Sequence, residues 1–186
     1  MHRPDLHALS PLSDTQDRPT TLRVVSIALF LIILSTPIRA DFNDGVVALM
    51  TGKYEQALTT FVPLAEMSDH AYAQYFLARM YASGQGVTRD HATAALWYRK
   101  AAKKGIADAQ YRLGRLYALG EGVPKDIEYA FGWYSVATHL RHEGGVEALK
   151  STESKLSKSQ LTEAKRLARD LIDNYGVVPK STSRDQ

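Results

Sequence analysis

Between Ala73 and Ala101 the apolar positions fall into two stripes of helical spacing. Ala73, Leu77, Met80 and Tyr81 recur at i, i+4, i+7 and i+8, one face of a 3.6-residue helix, and Ala94, Trp97, Tyr98 and Ala101 form a second such face. Small and large residues alternate on both stripes, so two helices can approach closely while aromatic rings fill the gap between neighbouring pairs. Gly84 supplies the left-handed stop after the first helix, Gly86 permits a further turn, and Val87 plugs the elbow. Asp90 stands at the start of the second helix, where a carboxylate accepts bonds from free backbone N–H groups.

Shifting the chain by 36 residues lays this segment over a second copy of itself. Gly84, Gly86, Val87, Asp90, Trp97 and Tyr98 fall on Gly120, Gly122, Val123, Asp126, Trp133 and Tyr134, within a frame where nearly half the positions are identical. The chain therefore carries a duplicated helix-turn-helix unit, 71–106 and 107–142. Before it, 41–70 reads as a degenerate repeat or cap. It has a short helix from Asn43 to Met50, a stop at Gly52 and a second helix from Tyr54 to Glu66, in which Leu58, Phe61 and Ala65 align 36 residues ahead of Ala94, Trp97 and Ala101.

After Ala137 the repeat pattern changes to Thr138, His139, Leu140 and Arg141, which predicts a longer helix there and no third full repeat. The segment 143–175 reads as capping helices. One runs from about Val146 to Lys155; the other opens on a Ser157–Gln160 capping box and carries an apolar stripe from Leu161 to Tyr175. Residues 176–186 lack apolar periodicity and are expected to be a disordered tail.

The N-terminal apolar run has a different character. Val24 to Leu34 is 11 residues, interrupted only by Ser26, preceded by Arg23 and followed by Pro37. That length suits a signal-peptide core; a membrane span needs about 20 apolar residues. Residues 1–40 are expected to be a signal peptide with a long polar leader, cleaved after Ala40, giving a periplasmic or secreted product. The alternative is an inner-membrane anchor through Val24 to Leu34.

Composition adds exclusions. The 186 residues contain no cysteine, which removes disulfides, thiolate zinc sites and thiol nucleophiles. The net charge of +3 comes from 23 basic and 20 acidic side chains. Loss of Arg3, Arg18, Arg23, Arg39, Asp5, Asp14 and Asp17 with the leader leaves 19 and 17, a net of +2. Nothing in that balance calls for nucleic acid. Arg99, Lys100, Lys103 and Lys104 occupy a helix C-terminus, where cations are favoured without any partner.

Candidate chemistry is sparse. His139 and His142, with Glu143 beside them, have helical spacing for a metal but no third ligand in sequence, so no metal and no cofactor are expected. The G-Q-G and G-E-G turns lack the preceding strand and the Lys-Ser/Thr of a phosphate loop. No serine sits in a nucleophile elbow, and no enzyme activity is expected. The remaining candidate is a two-rung ladder, Tyr75 and Arg79 above Tyr111 and Arg115, directed away from the core stripe of each first helix. Tyr and Arg are enriched at binding hot spots, although the tyrosines would equally serve to fill space between repeats.

The segments YASGQGV and YALGEGV, each followed by Asp, Ala and Trp-Tyr at matching spacings, resemble the Sel-one-like repeat family, relatives of the tetratricopeptide repeats. GKYEQAL with FVPLAE, and LSKSQLTEAKRLA, look like the opening and closing segments of exported bacterial members. The resemblance implies an all-α solenoid of antiparallel helix pairs, about three repeat units plus C-terminal capping helices. It also implies a non-enzymatic scaffold or adaptor that binds a protein or peptide on the concave face of its first helices. A cysteine-stapled branch of the family is associated with penicillin-like compounds, and this chain has no cysteine. Two alternatives stay open: a cell-envelope enzyme or small-ligand binder acting on a peptidoglycan or β-lactam fragment, and a regulatory subunit of an inner-membrane sensor.

Overall fold

The computed structural model describes residues 41–176. The expected signal peptide, its cleavage after Ala40 and the tail beyond Gly176 lie outside the described residues. Within them the chain forms eight helices: α1 Phe42–Met50, α2 Tyr54–Glu66, α3 Ala71–Ser83, α4 His91–Lys103, α5 Ala107–Leu119, α6 Ile127–His139, α7 Gly145–Glu153 and α8 Lys158–Tyr175. Consecutive helices from α1 to α7 pack antiparallel in chain order, and α8 packs on α6 rather than on α7. The result is an all-helical solenoid.

Local chemistry fixes the ends of each repeat helix. Asp90 accepts hydrogen bonds from the N–H groups of Ala92 and Thr93 at 2.9 and 3.1 Å, and Asp126 from that of Tyr129 at 2.8 Å. Gly84 and Gly120 end α3 and α5 in the left-handed region, at φ 73° and 76°. Each turn then closes by a bond from the Asp N–H back to a tyrosine carbonyl, Asp90 to Tyr81 and Asp126 to Tyr117, both at 2.9 Å.

The second glycine of each turn has a role beyond turning. A Cβ on Gly86 would lie 2.7 Å from Tyr54 Cβ, and one on Gly122 would lie 2.2 Å from the His91 carbonyl carbon. Each turn is thus seated against the start of the second helix in the preceding pair, α2 or α4. Only a residue without a side chain allows that approach, so the glycine that shapes the turn also sets the spacing between repeats.

A buried glutamine links the helix pairs. Gln74 and Gln110 are both 0% exposed. Gln74 Nε2 donates to the Ala65 carbonyl at 3.2 Å, and Gln110 Nε2 to the Ala102 carbonyl at 3.0 Å. Both acceptors are last-turn carbonyls of the preceding helix, groups with no partner inside that helix. Gln110 also reaches the Tyr175 carbonyl at 3.1 Å, tying α5 to the end of α8.

The expected extension of the second repeat's second helix does not occur. α6 spans the same 13 residues as α4, shifted by 36. Gly105 ends the first unit at φ 79°, and Arg141, at the equivalent position, adopts φ 61°. The backbone turns at the same place although the residue is no longer glycine. α7 ends at Glu153, two residues short of the expected Lys155. The Ser157–Gln160 capping box is formed, with both reciprocal bonds present.

Candidate functional site

α3 and α5, the first helices of the two repeats, both pack on α4. Where they face one another across it, an open cleft of about 460 Å³ is lined by Arg79 from α3, Arg112 and Arg115 from α5, and Arg89 from the first turn. All four arginines are exposed, and none forms an ion pair among the described residues. Arg79 is held over two rings, its guanidinium carbon 5.8 Å from the centroid of Tyr75 and 5.5 Å from that of Phe76. Cation–π contact of this kind orients a guanidinium without using up its N–H donors.

The wall contributed by α4 contains Tyr98, 3% exposed, whose hydroxyl makes no hydrogen bond among the described residues. Burial pushes this phenol up to about 12, against the pull of Arg112, Arg79 and Arg115. It therefore remains a neutral O–H donor at any ordinary pH. Glu121, from the second turn, also lines the cleft.

The cleft also contains Ser83 and His91, which with Glu121 are the residue types of a nucleophilic triad. Ser83 Oγ, however, donates to the Arg79 carbonyl at 2.8 Å, and no hydrogen bond joins the three side chains. What the cleft offers is a set of donors and positive charge, suited to holding an anion.

The two-rung ladder is only partly assembled. Arg79 and Arg115 both reach the cleft. Tyr75 does not point outward: it is 9% exposed and packed in the core, 6.1 Å from the ring of Tyr98. Its helix is covered on that side by α4 and α5, so the angular position that looks outward on a lone helix is interior in the stack. Tyr111 is half-buried, stacked on His142 at 4.3 Å and tilted against Tyr134 at 5.5 Å. In both cases the tyrosine fills space between elements.

His142 is likewise engaged. Its Nδ1 accepts the Gly144 N–H at 3.1 Å, and its Nε2 lies 3.6 Å from Asp108. Among the described residues no three His, Asp or Glu side chains converge as a metal site would require. The basic end of α4 finds partners within the chain: Arg99 donates to the Tyr117 hydroxyl at 2.6 Å, Lys100 lies 4.0 Å over the Trp97 ring, and Lys104 pairs with Asp69.

Arg112, Arg89 and Glu121 were not legible as site residues in the sequence, and Tyr98 was legible only as a position of the repeat signature, matched by Tyr134. Self-alignment singles out positions that repeat, and Arg112 falls opposite Phe76, Glu121 opposite Gln85. The signal lay in the differences between the two units.

Comparison with known proteins places these features. The Sel1 repeat family model matches residues 71–106 and 107–142. Among solved structures, the chain is similar to a protective antigen of uropathogenic Escherichia coli strains that displays an SLR fold. The identity is 28% and the TM-score 0.69, over 78% of this chain and 34% of that one. It is also similar to a Sel1 repeat protein from Oxalobacter formigenes, at 28% identity and TM-score 0.57, over 73% of this chain and 58% of that one. The chain thus spans about a third of the first relative's length and under two thirds of the second's. No curated protein matches it. With eight helices among the described residues in a solenoid shared with these bacterial structures, residues 71–142 at its centre are two Sel1 repeats.

Proposed function

We propose that this chain is a non-catalytic scaffold that binds a protein or peptide partner across the face formed by α3 and α5, and that it works in a bacterial periplasm. One observation carries the binding reading: equivalent helices of two repeats present arginines to one open cleft, and those arginines have no acidic partner among the described residues. Charges left unpaired on a folded domain contribute little to its stability but are available to a ligand. Sel1 repeats generally mediate protein interactions, which supports the same reading. For export, the support is the apolar run from Val24 to Leu34 ahead of Pro37.

The test is crosslinking in the periplasm followed by affinity capture, with wild type and with Arg79→Glu/Arg115→Glu. Partners recovered with wild type should be lost with the charge-reversed chain, while its helical content stays unchanged. Retention of every partner would overturn the assignment of this face. Fractionation with N-terminal sequencing tests the location: a soluble product beginning at Asp41 supports it, whereas a membrane-bound product retaining Val24 to Leu34 replaces it with a tethered subunit.

A further inference from the structure

We propose that the cleft between α3 and α5 is a receptor for an acidic peptide segment, with Arg79, Arg112 and Arg115 forking onto neighbouring carboxylates and the Tyr98 hydroxyl donating to one of them from the wall. This rests on the scaffold reading above and names the chemistry of its ligand.

Four features of the site converge on that ligand. First, Arg112 and Arg115 lie three residues apart on α5, hence on one helical face, and Arg79 meets them from α3. Several guanidiniums around one cleft match several carboxylates rather than one. Second, the Tyr98 side chain is more than nine-tenths buried, yet its hydroxyl has no partner among the described residues. The hydroxyl opens on the cleft rather than being sealed from water, and an O–H donor bonds a charged acceptor more strongly than a neutral one, so an incoming carboxylate is favoured over an amide of the same size.

Third, Arg79 is already oriented by the Tyr75 and Phe76 rings, which lowers the entropy lost when its donors are engaged. Fourth, Glu121 is the one carboxylate among the lining residues. It opposes a uniformly acidic occupant at one side of the cleft, and so favours a segment in which the acidic residues are flanked by a neutral or basic one. The site is a local cleft in a chain of nearly balanced charge, not the long basic stripe that tracks a nucleic-acid backbone. An open volume of about 460 Å³ admits a few side chains of a peptide passing through it.

The carboxylates could come from a peptide or from a free dicarboxylic acid, and titration separates the two. The chain as purified from its expressing cells is titrated into a fluorescein-labelled peptide bearing four consecutive glutamates followed by lysine, and into its glutamine counterpart. The Glu peptide should saturate at least tenfold more tightly than the Gln peptide. Arg112→Gln/Arg115→Gln should weaken Glu-peptide binding about tenfold or more, and Tyr98→Phe several-fold. Glu121→Gln should strengthen binding of an all-Glu peptide. Lys100→Gln/Lys103→Gln, on the other basic patch, should change nothing.

Equal binding of the Glu and Gln peptides, or unchanged binding by the double arginine variant, overturns the proposal. Displacement of the peptide by succinate at an equal concentration overturns the peptide as the source of the carboxylates. The two readings fail separately. If the Glu and Gln peptides bind alike while crosslinked partners still depend on Arg79 and Arg115, only the acidic ligand is wrong. If the Glu peptide saturates but no partner depends on those arginines, only the scaffold reading is.

Discussion

The two repeats share a signature but not an environment, and the difference shows most clearly at their tryptophans. Trp133 is 1% exposed, stacked on Tyr175 of α8 at 5.8 Å and edge-on to Tyr129. Trp97, 36 residues earlier, is half-buried and covered on one face by Lys100 rather than by a helix. The residues beside them follow suit. Leu96 is 56% exposed, whereas its counterpart Gly132 is buried where a Cβ would meet Leu171 at 2.8 Å. The second unit has exchanged a surface side chain for a seat on which α8 can rest. A repeat signature therefore specifies a shape, while the neighbour each repeat receives determines how much that shape contributes to stability.

The largest asymmetry is expected at the second glycine. Gly122→Ala places a Cβ against His91 backbone at 2.2 Å, with φ at +70°, so helices must move apart; a loss on the order of 3 kcal/mol or more is expected. Gly86→Ala, at φ +74°, meets Tyr54 Cβ at 2.7 Å and Leu58 at 3.1 Å; a Cβ moves only with its backbone, but the overlap is smaller than at Gly122, so a loss of about 2 kcal/mol is expected. Urea unfolding of the two variants checks the order, and equal midpoints would show that the turns are seated alike.

Next in size, Trp133→Ala should cost about 3–5 kcal/mol, as expected for an aromatic side chain removed from a packed core. Trp97→Ala should cost about 1–2 kcal/mol, part burial and part cation–π contact. Thermal unfolding that finds the two equally destabilised would break the comparison.

The smallest effect separates the caps. Asp90 accepts two backbone N–H bonds and the Thr93 hydroxyl at 2.7 Å, and Asp126 accepts one backbone bond. The Thr93 hydroxyl, then the N–H groups of Thr93 and Ala92, hold the Asp90 carboxyl below its ordinary value of 3.8. A depressed folded value means that the stabilisation is present above pH 3.8 and is lost as pH falls through the lowered value. The Tm gap between wild type and Asp90→Ala should accordingly be constant near neutrality and shrink in acid. It should also exceed the gap for Asp126→Ala. A gap that does not change with pH would remove the charge from the account.

The helical pairs were legible because their causes are local. Apolar spacing, Gly84 and Gly120 at left-handed stops, aspartate caps and the Ser157–Gln160 box each act within a few residues. The break at Ala137 misleads because a lost glycine need not be a lost turn: the N–H groups of Arg141 and His142 donate to the Thr138 and Ala137 carbonyls, closing the turn with Arg141 in the left-handed region. The ladder was half legible: arginines on the exposed side of a helix stay exposed, but whether a tyrosine beside them is outside depends on which helix arrives next.

The repeat length, the glycine stops and aspartate caps of the repeat helices and the absence of cysteine chemistry follow from residue identity and short-range bonding alone. The tertiary structure alone decided that Tyr75 is core, that Trp133 is sealed while Trp97 is not, and that Arg112, Tyr98 and Glu121 share a cleft with Arg79 and Arg115. Those outcomes come from contacts between residues dozens of positions apart. Burial belongs to a residue's surroundings, and the surroundings of each repeat are set by the pair stacked against it.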